Sequence, residues 1–403
     1  MSRLDRLKWS FVRWRLETRA HPPTLLKLQL KLVHLLRRIV IAIATLLFRK
    51  YRQEEPLDLA RTSSILIIPN QPLGDLLVTS PIWRALKRRN PKVKIGVAIS
   101  TRNRSMIGGF PEVDKTYLLF AKHYFKRIRE VLRARRDKWD VVLTTVGFFK
   151  PVRYAFLMRF IAGNAVTASM HDVRDERYHN IFSYCFRRSF FPYPQPILLQ
   201  FEELAERLFD IKFEEWERAP KFEVKSEIVE QCGNRLDAIK KSTNTSKVVV
   251  MHLEAKRSGL EWGYENVAMF SHKFSAANPD TVLLLTASPM FILQFPAFVA
   301  LPLERVEYFA ATSIDEMIAL VGLCDLVITP DTVIVHFAAL YHTPMVLLFE
   351  CKSEWMPFEA TYSLLSSGFG QQVKLIPVSN VLDQANLLLR IKADVRHELH
   401  IQA

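Results

Sequence analysis

One alternation, run twice, constrains this chain more than any other feature. Short runs of contiguous apolar residues are each followed by a turn and then by helical spacing. The first series opens with Ile65-Leu66-Ile67-Ile68-Pro69, the turn Gln71-Pro72-Leu73-Gly74-Asp75 and a helical pattern over about 76–89. A strand at 93–99, a short helix near Arg104, a strand at 115–120, a basic helix over 124–136 and a strand at 140–145 follow. Contiguous rather than alternating apolar runs mark strands covered on both faces, the condition of a parallel sheet. Residues 151–220 are dense in aromatic and basic side chains, with a loop at 191–196 and a helix at 197–209. Extended chain at 220–224, a polar helix ending near Lys240 and a polar loop at 241–245 form a connection. The grammar then restarts: strands at 248–252, 282–285, 306–308, 326–328 and 345–349, with helices near 265–277, 313–323, 336–341 and 380–391. Two α/β halves joined by a connector enclose a cleft, because open parallel sheets bind ligands beyond their carboxyl ends. The expected division is a front piece at 1–60, a first Rossmann-like domain at 61–225 and a second at 226–403.

Composition supports large cores: of 403 residues 49% are apolar and 24% charged. These values exclude a mainly disordered chain, a collagen and a disulfide-stapled miniprotein. The four cysteines (Cys185, Cys232, Cys324 and Cys351) form no C-x-x-C pair. Neither a zinc site nor a redox motif is indicated, and a reducing, cytoplasmic setting is expected. The net charge of +15 is uneven. Residues 1–52 carry thirteen Lys or Arg against Asp5 and Glu17, a surplus of +11 that leaves +4 for the rest. A uniformly basic nucleic-acid binder would look different, and no nucleic-acid partner is expected.

Within the front piece, Trp9, Phe11 and Trp14 sit among basic residues, and His21-Pro22-Pro23 interrupts the pattern before a second helical stretch over 24–52. The longest uncharged run, 39–48, has ten residues, about half of what a bilayer-spanning helix needs. The composition is that of a basic amphipathic anchor lying in a membrane surface, the alternative being helices packed on the protein's own body.

Two constellations could carry chemistry. In LGDLLVTSPIWRALKRR, Asp75 stands at a helix start beyond a strand's carboxyl end. A carboxylate there either caps the helix or acts as a general base. The G-x-G-x-x-G fingerprint is absent. In CDLVITPDTVIVHFAALYHTPMVLLF, Asp331 and Thr332 open a helix whose free N–H groups can hold oxygens, with His336 five residues on. The plainer alternative has Asp331 as an N-cap and His336 as a core histidine.

The L-G-D turn followed by T-x-P and R-A-L, with the later D-L-V-I-T-P-D-T-x-x-x-H-x-A-A-L-x-x-P-x-V-x-L-F run, resembles the heptosyltransferase family, glycosyltransferase family 9 of lipopolysaccharide core synthesis. The resemblance covers about residues 63–390. It implies a GT-B architecture and inverting, metal-independent transfer of heptose from ADP-heptose, used as a substrate with no cofactor. By it, Asp75 is the base. Gly74, Glu254, Lys256, Arg257, Thr312, Ser313, Asp331, Thr332, His336 and Lys352 are the expected donor-binding residues. No D-x-D pair for a nucleotide-bound cation is evident.

Four departures from the family pattern stand out. Leu260 occupies the place of the usual lysine two residues before Trp262, and Val333 and Glu350 replace glycines. Thr286-Ala287-Ser288 lacks the usual glycine-rich turn. Another nucleotide sugar, or a non-catalytic glycolipid-binding relative, therefore remains an alternative. The basic helix near 122–138 supplies Lys126, Arg127 and Arg133 as an expected patch for an anionic acceptor lipid. Together these features imply an enzyme bound peripherally to the inner face of the cytoplasmic membrane, its cleft toward a lipopolysaccharide-core acceptor.

Overall fold

The computed structural model describes residues 39, 43, 55–69, 73–121, 123–145, 152–172, 182–188, 196–255, 257, 259–299, 301, 303–352, 356–357 and 360–401. The expected amphipathic anchor lies outside these residues, apart from Ile39 and Ile43, both helical and about half exposed. Lys256 also lies outside them.

Two six-stranded sheets, all parallel, form the body. The first comprises β1 (Ser64–Ile68), β2 (Lys94–Ser100), β3 (Lys115–Phe120), β4 (Val141–Thr144), β5 (Val166–Asp172) and β6 (Tyr184–Arg188) in the order β3-β2-β1-β4-β5-β6. The second comprises β7 (Lys247–His252), β8 (Thr281–Thr286), β9 (Val306–Tyr308), β10 (Leu326–Pro330), β11 (Met345–Phe349) and β12 (Tyr362–Ser366). Read from its other edge, this sheet repeats the same order, β9-β8-β7-β10-β11-β12. Strand order reverses between β1 and β4 and again between β7 and β10, the switch points where such sheets leave a crevice.

The contiguous apolar runs explain the layers. In β1, Ile65 and Ile67 enter one core and Leu66 and Ile68 the opposite one, and all four are fully buried. In the second half Val248 and Val250 belong to the same core as Ile65, whereas Val249 and Met251 enter a third cluster with Trp262. One apolar cluster thus continues from the first half into the second.

The helices that position the site are α1 (Leu73–Arg89), α2 (Tyr124–Arg136), α3 (Val152–Ala162), α4 (Ile197–Phe209), α5 (Ser226–Thr243), α6 (Tyr264–Ala277), α7 (Pro289–Gln294), α8 (Ile314–Leu323), α9 (Ile334–Leu340) and α10 (Val378–Ile401). Three strands were not expected: β5, β6 and β12. Tyr-Cys-Phe-Arg-Arg and Tyr-Ser-Leu-Leu-Ser lie at sheet edges, and β5 reads Val-Thr-Ala-Ser-Met-His-Asp, so none presents the contiguous apolar run of an interior strand. The helix expected near Arg104 is a 3-10 segment, Thr101–Gly109. Helix α1 begins three residues earlier than the pattern indicated, so Gly74 and Asp75 lie in its first turn rather than in the loop before it.

Candidate active site

A cleft of about 580 Å³ lies between the halves, over both switch points. The first half contributes Leu73, Gly74 and Asp75 from the turn after β1. The second contributes the end of β7 and the chain just after it (His252, Glu254) and the segments beyond β8 (Ala287, Ser288), β9 (Thr312, Ser313) and β10 (Asp331, Thr332, His336).

Local chemistry in α1 fixes Asp75. Its carboxylate sits at the positive end of the helix dipole and its residue is 3% exposed. Pro81 lies inside the helix and cannot donate to the carbonyl of Leu77. The Ser80 hydroxyl donates to that carbonyl instead, at 2.8 Å, and Thr79 Oγ1 donates to the Asp75 carbonyl at 2.8 Å. The Thr-Ser-Pro run therefore repairs the helix that carries Asp75. At its far end the helix is tied down by Glu217, whose two oxygens accept from Arg89 at 2.6 and 2.8 Å, with Arg88 at 2.8 Å. Burial opposes ionisation of Glu217, yet the hydrogen bonds from Arg89 and the Glu214 N–H prevail and bring its pKa down to about 2.

Gly74 meets His336 across the cleft. A side chain at residue 74 would run into the imidazole ring, which is itself 8% exposed on α9. Glycine is thus required for the two halves to approach at this point.

On the second half, the plainer alternative of Asp331 as N-cap does not hold: α9 starts at Ile334, with Val333 as its N-cap. Thr332 Oγ1, not Asp331, accepts from the helix, taking the Ile334 N–H at 3.1 Å and touching Thr329 Oγ1 at 3.3 Å. Thr332 is one residue nearer the helix, so its short hydroxyl reaches the free N–H. This leaves the Asp331 carboxylate on the cleft wall with no hydrogen-bond or ion-pair partner among the described residues. Burial first, then the carboxylates of Glu350 and Asp331, push the Cys351 thiol pKa up.

Thr312 and Ser313 form one capping arrangement. The Thr312 N–H and hydroxyl donate to Glu316 Oε2 at 2.6 and 2.7 Å, and Ser313 Oγ accepts the Glu316 N–H at 3.0 Å. Arg235 binds the other Glu316 oxygen at 2.9 Å. His252 ends β7 beside Thr286, its Nδ1 3.1 Å from Thr286 Oγ1. Burial lowers its pKa to about 4, against the opposing pull of Glu254, so the ring is neutral at physiological pH. Glu254 accepts the Ser288 N–H at 3.1 Å.

The structure thus brings Gly74, Asp75, Glu254, Thr312, Ser313, Asp331, Thr332 and His336 to one cleft. Arg257 and Lys352 are exposed and outside its described lining. Among the described lining residues there are three carboxylates and no lysine or arginine. Sequence reading missed Met317 and Phe337 as cleft walls, since their spacing signals only a helix core. His252 reads in the sequence as the last residue of a strand and is not among the expected site residues.

Two of the departures have structural causes. Leu260 packs against the second-half core beside Trp262, whose indole donates to the Ile376 carbonyl at 2.9 Å. Glu350 accepts the Gly370 N–H at 2.6 Å, holding the loop after β12. Among the described residues no group of three or more His, Cys, Asp or Glu is placed to hold a metal ion, and no helix is long and apolar enough to cross a membrane. In the expected lipid patch, Lys126 is half-buried and Arg127 donates to the Ala121 carbonyl at 2.9 Å. Arg133 is held by Glu130 at 3.1 Å and by the carbonyl of Thr116.

The fold and this cleft have counterparts among known proteins. The chain is 19% identical over 318 residues to the Escherichia coli K12 protein named "Putative lipopolysaccharide heptosyltransferase 4", covering 78% of this chain and 82% of that one. A glycosyl transferase family 9 structure from Veillonella parvula superposes with a TM-score of 0.67 at 16% identity, over 84% of this chain and 99% of the other. The E. coli ADP-heptose lps heptosyltransferase II gives 0.61 at 17% identity, over 82% and 99%. These superpositions establish the two-domain GT-B architecture. The model of glycosyltransferase family 9 (heptosyltransferase) matches residues 127–374, more than half of the chain and all of the Asp331–His336 wall, and the protein therefore belongs to that glycosyltransferase family.

Proposed function

We propose that this enzyme transfers heptose from ADP-heptose to a lipopolysaccharide-core acceptor, with inversion and without a metal or other cofactor. The reading has it bound peripherally at the inner face of the cytoplasmic membrane. One observation carries it. A buried carboxylate, Asp75, enters from the first half at the same cleft where Asp331, Thr332 and His336 line the second. Similarity to the E. coli ADP-heptose lps heptosyltransferase II supports the choice of donor.

In this reading Asp75 takes the proton of the acceptor hydroxyl as its oxygen attacks the anomeric carbon. The bond to the diphosphate breaks with its electron pair leaving on ADP. Asp331 accepts from sugar hydroxyls, and the N–H groups at the start of α9 and the neutral His252 border the diphosphate. Thr312 and Ser313 hold the nucleotide side, and Gly74 lets the two walls meet. The leaving charge is met by Arg257 and Lys352, on the two loops flanking the cleft, together with Lys256.

The test is Asp75→Asn. Loss of a general base lowers turnover by roughly 10²–10⁴-fold while donor affinity and folding stay near wild type. Near-normal turnover in this variant would refute the role. A second reading, transfer of a different nucleotide sugar, is favoured by the absence of a described cation on the cleft wall and by Leu260 in place of a lysine.

A further inference from the structure

Helix α2 presents a second, separate surface. Its buried side consists of Glu130 and Ala134, packed toward β3 and α3. The opposite face carries Tyr124, Phe125, Ile128 and Leu132, which are 68, 85, 39 and 42% exposed. At about 100° per residue, Phe125, Ile128 and Leu132 fall within one narrow arc. Phe160 of α3, 46% exposed, extends this face under the guanidinium of Arg135, 4.5 Å from its ring centroid. Arg129 and Arg136 border the stripe, and neither has an ion-pair partner among the described residues. The helix's one acid, Glu130, is buried and paired with Arg133.

We infer that this face of α2 docks on an anionic lipid bilayer, with Phe125, Ile128 and Leu132 entering the headgroup–acyl boundary and Arg129 and Arg136 meeting lipid phosphates. Exposed aromatic and aliphatic side chains bordered by unpaired arginines are the two parts of an in-plane membrane helix. Topology gives the docking a direction. Helix α2 follows β3, so its N-terminal end with Tyr124 and Phe125 stands at the carboxyl edge of the first sheet. Asp75 enters the cleft from that same edge. A bilayer against α2 thus lies beside the cleft mouth, where a lipid-linked acceptor hydroxyl must arrive.

The inference rests on the membrane part of the proposed function, and its test needs neither donor nor acceptor. The environment-sensitive fluorophore NBD is attached at residue 125 in the full chain carrying Phe125→Cys, Cys185→Ser and Cys351→Ser, leaving the buried Cys232 and Cys324 in place. A control carries the probe through Ser242→Cys, at the opposite, amino edge of the second sheet. Vesicles of phosphatidylethanolamine and phosphatidylglycerol should raise emission at 125 about twofold or more with a blue shift, and leave 242 unchanged. Adding Arg129→Glu and Arg136→Glu should weaken the emission response about tenfold in lipid concentration. If the chain sediments with the vesicles while the probe at 125 does not respond, the α2 face is overturned and the membrane reading survives through another segment. If the chain does not bind these vesicles, both fall.

Discussion

The two halves are the same fold with differently built cleft walls. Each has strand order 3-2-1-4-5-6 and each opens a crevice at its switch point. In the first, what enters is a single buried carboxylate on the first turn of a seventeen-residue helix, with the far end of that helix clamped by Glu217. In the second, the wall is spread over four strand ends and a helix of only seven residues, and its polar groups bind one another or face the cleft. The comparison teaches that topology supplies the place and local chemistry the role. A rigid helix delivers one reactive group to a fixed point, whereas several short turns can follow the outline of an extended ligand.

That division can be broken at the joint. Gly74→Ala places a methyl group against the His336 ring and pushes α1 from α9. Because misplacing reacting groups by about 1 Å can cost 10²-fold, turnover should fall by at least tenfold. Steady-state kinetics with a thermal melt near wild type would check this; unchanged turnover would show that the two walls need not touch. The clamp at the other end of α1 is tested by Glu217→Gln. The variant leaves Arg88 and Arg89 without their carboxylate, and should lose about 2 kcal/mol, below the range for fully buried pairs because both arginines reach solvent. Denaturant unfolding measures it, and the loss should shrink as pH falls from 4.5 toward 2, since over that window the unfolded wild-type carboxylate takes up a proton that the folded one does not.

The smallest effect belongs to the second half. His252 titrates near 4 when folded and 6.5 otherwise, so between these values the unfolded chain binds the extra proton and stability falls as pH falls. His252→Asn should flatten this part of the acid limb and change little at neutral pH. An unaltered limb would mean that the ring is not held neutral by burial.

Much of this is legible in the amino-acid sequence. Contiguous apolar runs marked the interior strands except β5, whose Val-Thr-Ala-Ser-Met-His-Asp mixes polar and small residues, and the L-G-D and P-D-T segments marked both walls of the cleft. What escaped did so for physical reasons. Strands β6 and β12 sit at edges, where half-solvated chain needs no apolar run. That Thr332 rather than Asp331 accepts the Ile334 N–H depends on where α9 starts, which spacing does not encode. The contact of Gly74 with His336 joins residues 262 positions apart, and no local pattern reports it. The basic helix was visible as a charge run, but which arginines are tied to the domain and which border the exposed stripe is decided by Glu130 and Thr116.

The central claim, that the second half holds the donor while the first delivers the base, is tested most directly by calorimetric titration of the full chain with ADP-heptose, UDP-hexoses and GDP-mannose. The account predicts selective binding of ADP-heptose, weakened at least tenfold in Asp331→Ala and preserved in Asp75→Asn. Equal loss in both variants, or preference for another nucleotide sugar, would contradict it.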